Sequence, residues 1–440
     1  MPYSSLLKAR LRHCALAALA IGAMAAPAAA RAGDLRAGAG RVQITSPASI
    51  FPYKVPREHD FVGIHDDVFA RALVLDNGKT RTAIVSIEVT QVPEPHDLVA
   101  DVARAAGTSP DHVMVVATHT HTVPLVFYHG EVNNPAQPAE MARVRAGAVE
   151  AVRLAVHALA PARFSHGRGT AQVNVNNGEE AGTPGVFNPA ASSDKSLDVV
   201  RLTDLAGHPL AVLVNYASHG EVMFRSVTRD GGYEVTGDLP GAVSHMLESL
   251  PGGAPVALYL PGAEGDQLPL FKSLQPAVGG MPGTDEGAGG WALLDVQSRR
   301  LTQATLAALA SLPAGDDSAS IKVSAVTAMC QGQHIEVEHP GGRVLGVHDT
   351  APVAIPVAVL RINDLVIAGV GADLASNIGQ AIKAASPAVQ TTVVSMLAGA
   401  VGYVLNDKAY EKPGHGAMGS PIKPGCAPTV LPATVAAAAQ

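Results

Sequence analysis

The chain has 440 residues, enough for one large domain or two ordinary ones. Hydrophobic residues make up 47% and charged residues 16%, which supplies a sizeable core and excludes an intrinsically disordered chain. The net charge of −7, with no cluster of Lys and Arg in the mature region, excludes the electrostatic footprint of a nucleic-acid binder.

In chain order, Lys8, Arg10 and Arg12 precede an alanine-rich apolar run from Cys14 to Ala25, and Ala28-Ala29-Ala30 offers a small-residue cleavage site. This pattern predicts a secretory signal peptide over residues 1–30, in a run too short and too rich in Ala for a good membrane span. The mature protein is expected to be exported, to a periplasm or beyond. Cys330 and Cys426 remain, and in an oxidising compartment they can pair; two separate thiols are the alternative.

Gly38-x-Gly40 lacks the third glycine of a dinucleotide fingerprint and reads as a turn leading into a short strand. Val68–Leu75 and Thr82–Val89 read as strands joined at Asn77-Gly78, a hairpin signal. A helix is predicted over 96–106. Val113–Ala117 is an apolar strand that runs into Thr118-His119-Thr120-His121-Thr122. A long helix follows over 139–160, with Pro138 at its start. A polar loop begins at Val173 and runs to Ser196. Strands over 197–202 and 210–216 come next, the second ending in Ala217-Ser218-His219-Gly220.

Asp238 reads as the N-cap of a helix that runs to about Leu250. Val256–Leu260 is a buried strand ending in Pro261-Gly-Ala-Glu264-Gly265-Asp266. The Gly/Pro-rich stretch 274–290 reads as a surface loop over a site. Beyond it lie a helix over 291–312, strands over 321–338, 353–360 and 365–370, a helix over 374–385 and a strand over 391–397. There is no internal repeat. One domain over 33–412 is expected, followed by a Pro/Gly/Ala-rich tail over 413–440 that winds over the surface or is partly disordered.

Several strands thus end in potential ligands: His119 and His121, His219, Glu264 and Asp266, Asp373, and Tyr403. On an extended chain two histidines two residues apart point to one side. Ligands gathered from several strand ends make a site at one edge of an α/β sheet, and zinc takes a tetrahedral set of N, O or S donors. Each residue has a plainer role: histidines that only hydrogen-bond at a strand end, Asp373 as the N-cap of the next helix, Tyr403 as a core tyrosine. Glu264 and Asp266 read first as turn residues.

On these motifs the chain resembles the neutral (non-lysosomal) ceramidases from about Gly38 to Tyr410. The resemblance rests on Ala117-Thr-His-Thr-His-Thr-Val-Pro124 and Val214-Asn-Tyr-Ala-Ser-His219-Gly220, with Gly63-Ile-His65, Gly237-Asp238-Leu-Pro-Gly241 and Ala263-Glu-Gly-Asp266-Gln-Leu-Pro269 in support. It implies an α/β fold, a layered sandwich of mixed β-sheets flanked by helices with the metal site at the C-terminal ends of strands. It also implies Zn2+, and hydrolysis of the C–N amide bond of ceramide or another N-acyl lipid by a metal-activated water. His119, His219, Asp373 and Tyr403 would then be the metal ligands, with Asp373 in Gly371-Ala-Asp373 standing where the family has glutamate. His121, Tyr410 and Asp266 would be the catalytic residues.

The implied partners are an N-acyl, lipid-like small molecule and, in passing, a membrane surface. The sequence departs from the family pattern at Gly262, where the family has a serine implicated in catalysis, and at Asn177, where it has an arginine. Two other readings remain open: a barrel-type amidohydrolase, and a non-catalytic exported protein that keeps the zinc fold and binds lipid or a partner.

Overall fold

The computed structural model describes residues 34–55, 58–124, 134–178, 187–253, 255–275, 277, 281–338 and 343–440. The signal-peptide pattern, part of the 173–196 loop and part of the 274–290 stretch lie outside the described residues. Gly33–Gln440 forms one compact unit.

Eight strands make the main sheet: β1 (Arg36–Gln43), β2 (Phe69–Asp76), β3 (Arg81–Ile87), β4 (Val113–Ala117), β5 (Ala160–Thr170), β6 (Ser196–Asp204), β7 (Pro209–Tyr216) and β8 (Ala257–Pro261). Their order across the sheet is β8-β7-β6-β5-β1-β2-β3-β4. Only β8/β7 and β3/β4 are parallel, the other neighbours antiparallel. This mixed order rules out the all-parallel barrel of the barrel-type amidohydrolases. A second sheet holds β9 (Ile321–Val337), β10 (Val344–Ile362), β11 (Leu365–Val370) and β12 (Gln390–Val394) in that order.

Strand alternation decides the layers. In β2, Ala70, Ala72 and Val74 face one way, into a core with Leu98 and Val102 of α1 (Pro95–Ala106) and Val144, Ala148 and Val152 of α2 (Gln137–His157). Leu73 and Leu75 face the other way, joining Leu258 and Leu260 of β8 against Leu360, Ile362, Leu365 and Ile367 of the second sheet. The remaining outer face of the main sheet is covered by α3 (Asp238–Ser249) and α4 (Gly290–Ala310). The second sheet is backed by α5 (Ser376–Ala385). The result is four layers, helix–sheet–sheet–helix, in agreement with the expected sandwich.

Two expectations are corrected, and one strand lies where the sequence reading assigns nothing. Gly38 and Gly40 are not in a turn but inside β1, where a Cβ would lie 2.1 Å from the Ala155 carbonyl and 2.2 Å from that of Ala151; bare backbone lets α2 lie directly on the strand. The long helix is followed at once by β5, whose strand pattern is masked by Pro161, Gly167, Gly169 and three basic residues. The tail is not a surface wrap: α6 (His415–Gly419) and α7 (Ala427–Ala438) fold onto the second sheet, burying Val430, Ala437 and Ala438. A Cys330–Cys426 disulfide ties β9 to the start of α7. The composition that reads as low complexity is also rich in alanine, the best helix former.

Candidate metal centre

Four strand ends meet in one place. Thr118–Thr122 follows β4, while His219, Glu264 and Asp373 each lie three residues beyond the ends of β7, β8 and β11, at Tyr216, Pro261 and Val370. β4 and β8 are opposite edges of the main sheet, so the sheet must curl to bring them together. Ser86 of β3 bridges the curl by donating its hydroxyl to the Tyr259 carbonyl of β8 at 2.6 Å. Thr120 and Gly220 form a parallel bridge, and the His121 N–H donates to the Gly220 carbonyl at 3.0 Å. A Cβ at residue 220 would stand 2.9 Å from Thr120 Cα and 3.2 Å from the His119 carbonyl, so glycine is what permits this approach.

The Thr118–Thr122 segment is not extended. His119 has φ of 60°, the left-handed region that non-glycine residues rarely enter. The two imidazoles therefore meet through a backbone kink and not through strand alternation. Their Nε2 atoms lie 3.1 Å apart.

The tautomers follow from the carbonyl partners. His119 Nδ1–H donates to the Thr90 carbonyl at 2.7 Å, and His219 Nδ1–H donates to the Gln267 carbonyl at 3.0 Å. A carbonyl oxygen can only accept, so in the neutral rings both Nε2 atoms carry lone pairs. Both face Asp373: His219 Nε2 is 3.1 Å and His119 Nε2 3.4 Å from Asp373 Oδ2. Ligands about 2.0–2.1 Å from a tetrahedral zinc stand roughly 3.3 Å apart, so this spacing fits such an ion. One ligand atom from each of His119, His121 and His219 lies within 4.8 Å of the others, and the same holds for His119, Glu264 and Asp373.

Charge is concentrated and dry. Asp373 is 3% and Glu264 0% exposed. Asp373 Oδ1 and both Glu264 oxygens meet no hydrogen-bond donor among the described residues. Burial alone would raise Asp373 and lower His219, but the two charges outweigh it: Asp373 is held well below the usual carboxylate range and His219 is held up at about 10. Burial pushes Glu264 well above its ordinary value. Without a cation the raised His219 carries a proton on Nε2 toward Asp373, and a metal ion would displace it. The buried imidazoles and bare carboxylate oxygens have the donor chemistry of a divalent-cation site.

No protein-family profile matches the chain. Among solved structures, it superposes on neutral ceramidase from Pseudomonas aeruginosa with a TM-score of 0.73, over 92% of this chain and 74% of that one, at 18% identity. A ceramidase complexed with C2 matches with the same TM-score and coverage at 16% identity. The chain has the neutral ceramidase fold.

Within this ceramidase fold the structure brings together His119, His121, His219 and Asp373 of the predicted site residues. Tyr403 is the register partner of Asp373 in a short parallel pair, with its ring edge-on to His415 at 6.0 Å. Tyr410 donates its hydroxyl to the Ile422 carbonyl at 2.9 Å, which ties it to the tail. Asp266, predicted catalytic, is instead committed to the fold. Its oxygens accept from Ser376 N at 2.8 Å, Ser376 Oγ at 3.0 Å and Asn176 Nδ2 at 2.9 Å, holding the turn between Asp373 and α5.

Asp373 is not a helix cap, since α5 starts after Ala375 and the Asp373 carboxylate faces the histidines. Asp238 is not an ordinary N-cap either. Its φ is 51°, and its carboxylate accepts from Val222 and Met223 N–H at 2.9 Å each, tying the chain beyond His219 to α3.

Sequence reasoning puts Glu264 in a turn and does not single out Glu221 or Lys272. Glu221 Oε1 lies 3.3 Å from His121 Nδ1, and its other oxygen accepts from Lys272 Nζ at 2.6 Å. Burial would raise Glu221, but Lys272 and the histidines hold it far below its ordinary value. The base of the 274–290 stretch thus reaches the site through Lys272. The adjacency of Gly220-Glu221 to His219 is the one local signal for Glu221; Lys272 has none. Asn177 donates its N–H to the Asp266 carbonyl at 2.9 Å.

Proposed function

We propose that the protein is an exported, zinc-dependent hydrolase of C–N amide bonds that converts ceramide or another N-acyl lipid to an amine and a fatty acid. The observation that carries the reading is the convergence of His119 Nε2, His219 Nε2 and Asp373 Oδ2 within a ceramidase fold, each imidazole locked by a backbone carbonyl. When bound, the cation would polarise the amide carbonyl and lower the pKa of a water molecule.

The chain's own residues supply the rest. Thr90 and Gln267 fix the ring orientations of His119 and His219. Tyr403, in register with Asp373, is assigned as the remaining protein donor. His121 presents Nε2 to the same place and is the group that would protonate the leaving amine, with Glu221 and Lys272 setting its ring. The Cys330–Cys426 disulfide supports export, because such bonds persist in oxidising compartments. A lipid substrate entails transient contact with a membrane surface.

A second reading, a non-catalytic zinc-fold protein that binds lipid or a partner, is favoured by Gly262. A side chain there would put its Cβ 2.8 Å from the Ala217 nitrogen and 2.9 Å from its Cα, leaving no room for the serine of the ceramidase pattern.

Metal analysis combined with fatty acid release from a labelled N-acyl panel tests both. The hydrolase reading expects bound zinc, lost in His119→Ala, and release of amine and fatty acid. Zinc with no turnover across the panel supports the second reading. A wild-type protein with no affinity for zinc sinks both.

A further inference from the structure

Glu264 has no task in the hydrolase reading, yet it is among the most costly residues in the molecule. It sits in the turn after β8, fully buried, with neither carboxylate oxygen near a donor among the described residues. Two positions further on, Asp266 is equally buried and is met by a backbone N–H, a hydroxyl and an amide. The chain therefore supplies donors to a buried carboxylate where it serves the fold. Protonation does not remove the problem, because a neutral carboxyl would bury an O–H with nothing to receive it. A Glu264 oxygen lies within 4.8 Å of ligand atoms of His119 and Asp373, and Asp373 too carries an oxygen, Oδ1, that meets no donor among the described residues.

We infer that Glu264 is a direct ligand of the divalent cation, adding a second carboxylate to His119, His219, Asp373 and Tyr403. The inference rests on the metal-centre reading and goes beyond the ligand set carried over from the ceramidase pattern. Charge supports it. Asp373 alone would leave a dication with a net positive charge in a fully buried cluster, whereas Asp373 and Glu264 together bring the enclosed charge to zero.

The test uses the full-length protein, stripped with a chelator and reloaded with Zn2+ or Co2+. Glu264→Gln keeps the shape and removes the anionic donor; Glu264→Ala removes the group altogether. Circular dichroism of the stripped variants reports folding, which is expected to survive because the substitutions delete an unpartnered group. Loss of a direct ligand should weaken Zn2+ binding by more than about 100-fold, beyond the roughly 10–100-fold typical of groups that act through a ligand. It should also change the visible spectrum of the Co2+-loaded protein. A smaller loss in both variants with an unchanged Co2+ spectrum overturns the inference and leaves the metal centre standing. No Zn2+ or Co2+ binding by the wild type overturns both.

Discussion

Two buried clusters of charge lie close to the main sheet, and they are finished differently. In one, Arg71 of β2, 2% exposed, donates to Glu88 through Nη1 and to Glu248 through Nε at 2.7 Å and Nη2 at 3.1 Å. Further acceptor positions are used as well: the other Glu88 oxygen accepts from the Phe69 N–H at 2.8 Å, and Glu248 Oε1 also accepts from the Ala257 N–H at 2.9 Å. In the other, His119, His219, Asp373 and Glu264 bring lone pairs and carboxylates together and leave three carboxylate oxygens bare. Saturation marks a cluster that holds the fold. Bare acceptors beside imidazoles mark one with the donor chemistry to hold a cation.

The sharpest way to separate the two is to break each while varying the metal. Arg71→Met leaves Glu88 buried without its cation and Glu248 with Arg41 alone, and should cost about 3–5 kcal/mol. Urea unfolding should give the same loss with chelator or with zinc. The histidine cluster should behave in the opposite sense. Zinc at about 100 times its Kd should add about 2.7 kcal/mol to the wild type, a gain that chelation removes. His219→Ala should lose that gain, as read by denaturation at fixed zinc against the chelated protein.

A third change probes the wall between strand ends. Gly262→Ser should destabilise by about 1–3 kcal/mol through overpacking against the Ala217 backbone, with or without metal. A stable Gly262→Ser protein would mean that the β8 turn has more room than its backbone contacts show.

The smallest expected effect is on pH. Burial would raise Glu248, but Arg71, the Ala257 N–H and Arg41 hold it below its ordinary value. A depressed carboxylate contributes stability that is fully present above the unfolded value near 4.3 and is lost as pH falls through the folded value. Glu248→Gln should therefore cost stability at pH 7 and flatten the acid side of the stability curve. Denaturation midpoints between pH 3 and 7 read this directly.

Much of this molecule is legible in the chain. The hairpin at Asn77-Gly78, the helices over 95–106 and 290–310 and the strands that deliver His119, His219 and Asp373 follow from local periodicity and turn chemistry. Less legible is anything disguised by composition. β5 carries glycines and arginines because one of its faces is only partly buried, and the alanine-rich tail hides two helices. Asp238 reads as a cap because a carboxylate at the start of a helix has the same sequence signature whether it serves its own helix or a neighbouring loop.

The sequence by itself determined which side chains stand at the ends of strands, since a strand's length and its breakers are local properties. It determined the donor types as well, and therefore that a divalent cation was the chemistry to look for. Only the tertiary structure decided which donors meet. The main sheet had to curl until its opposite edges, β4 and β8, came within reach, and His119 had to leave the extended region. The surroundings of Glu264 and Asp266 were decided the same way. Both are acids in one turn, and what separates them is Ser376 and Asn176, 110 and 90 residues distant from Asp266. Those partners satisfy one carboxylate and leave the other without a donor among the described residues, and no window of local sequence contains that difference.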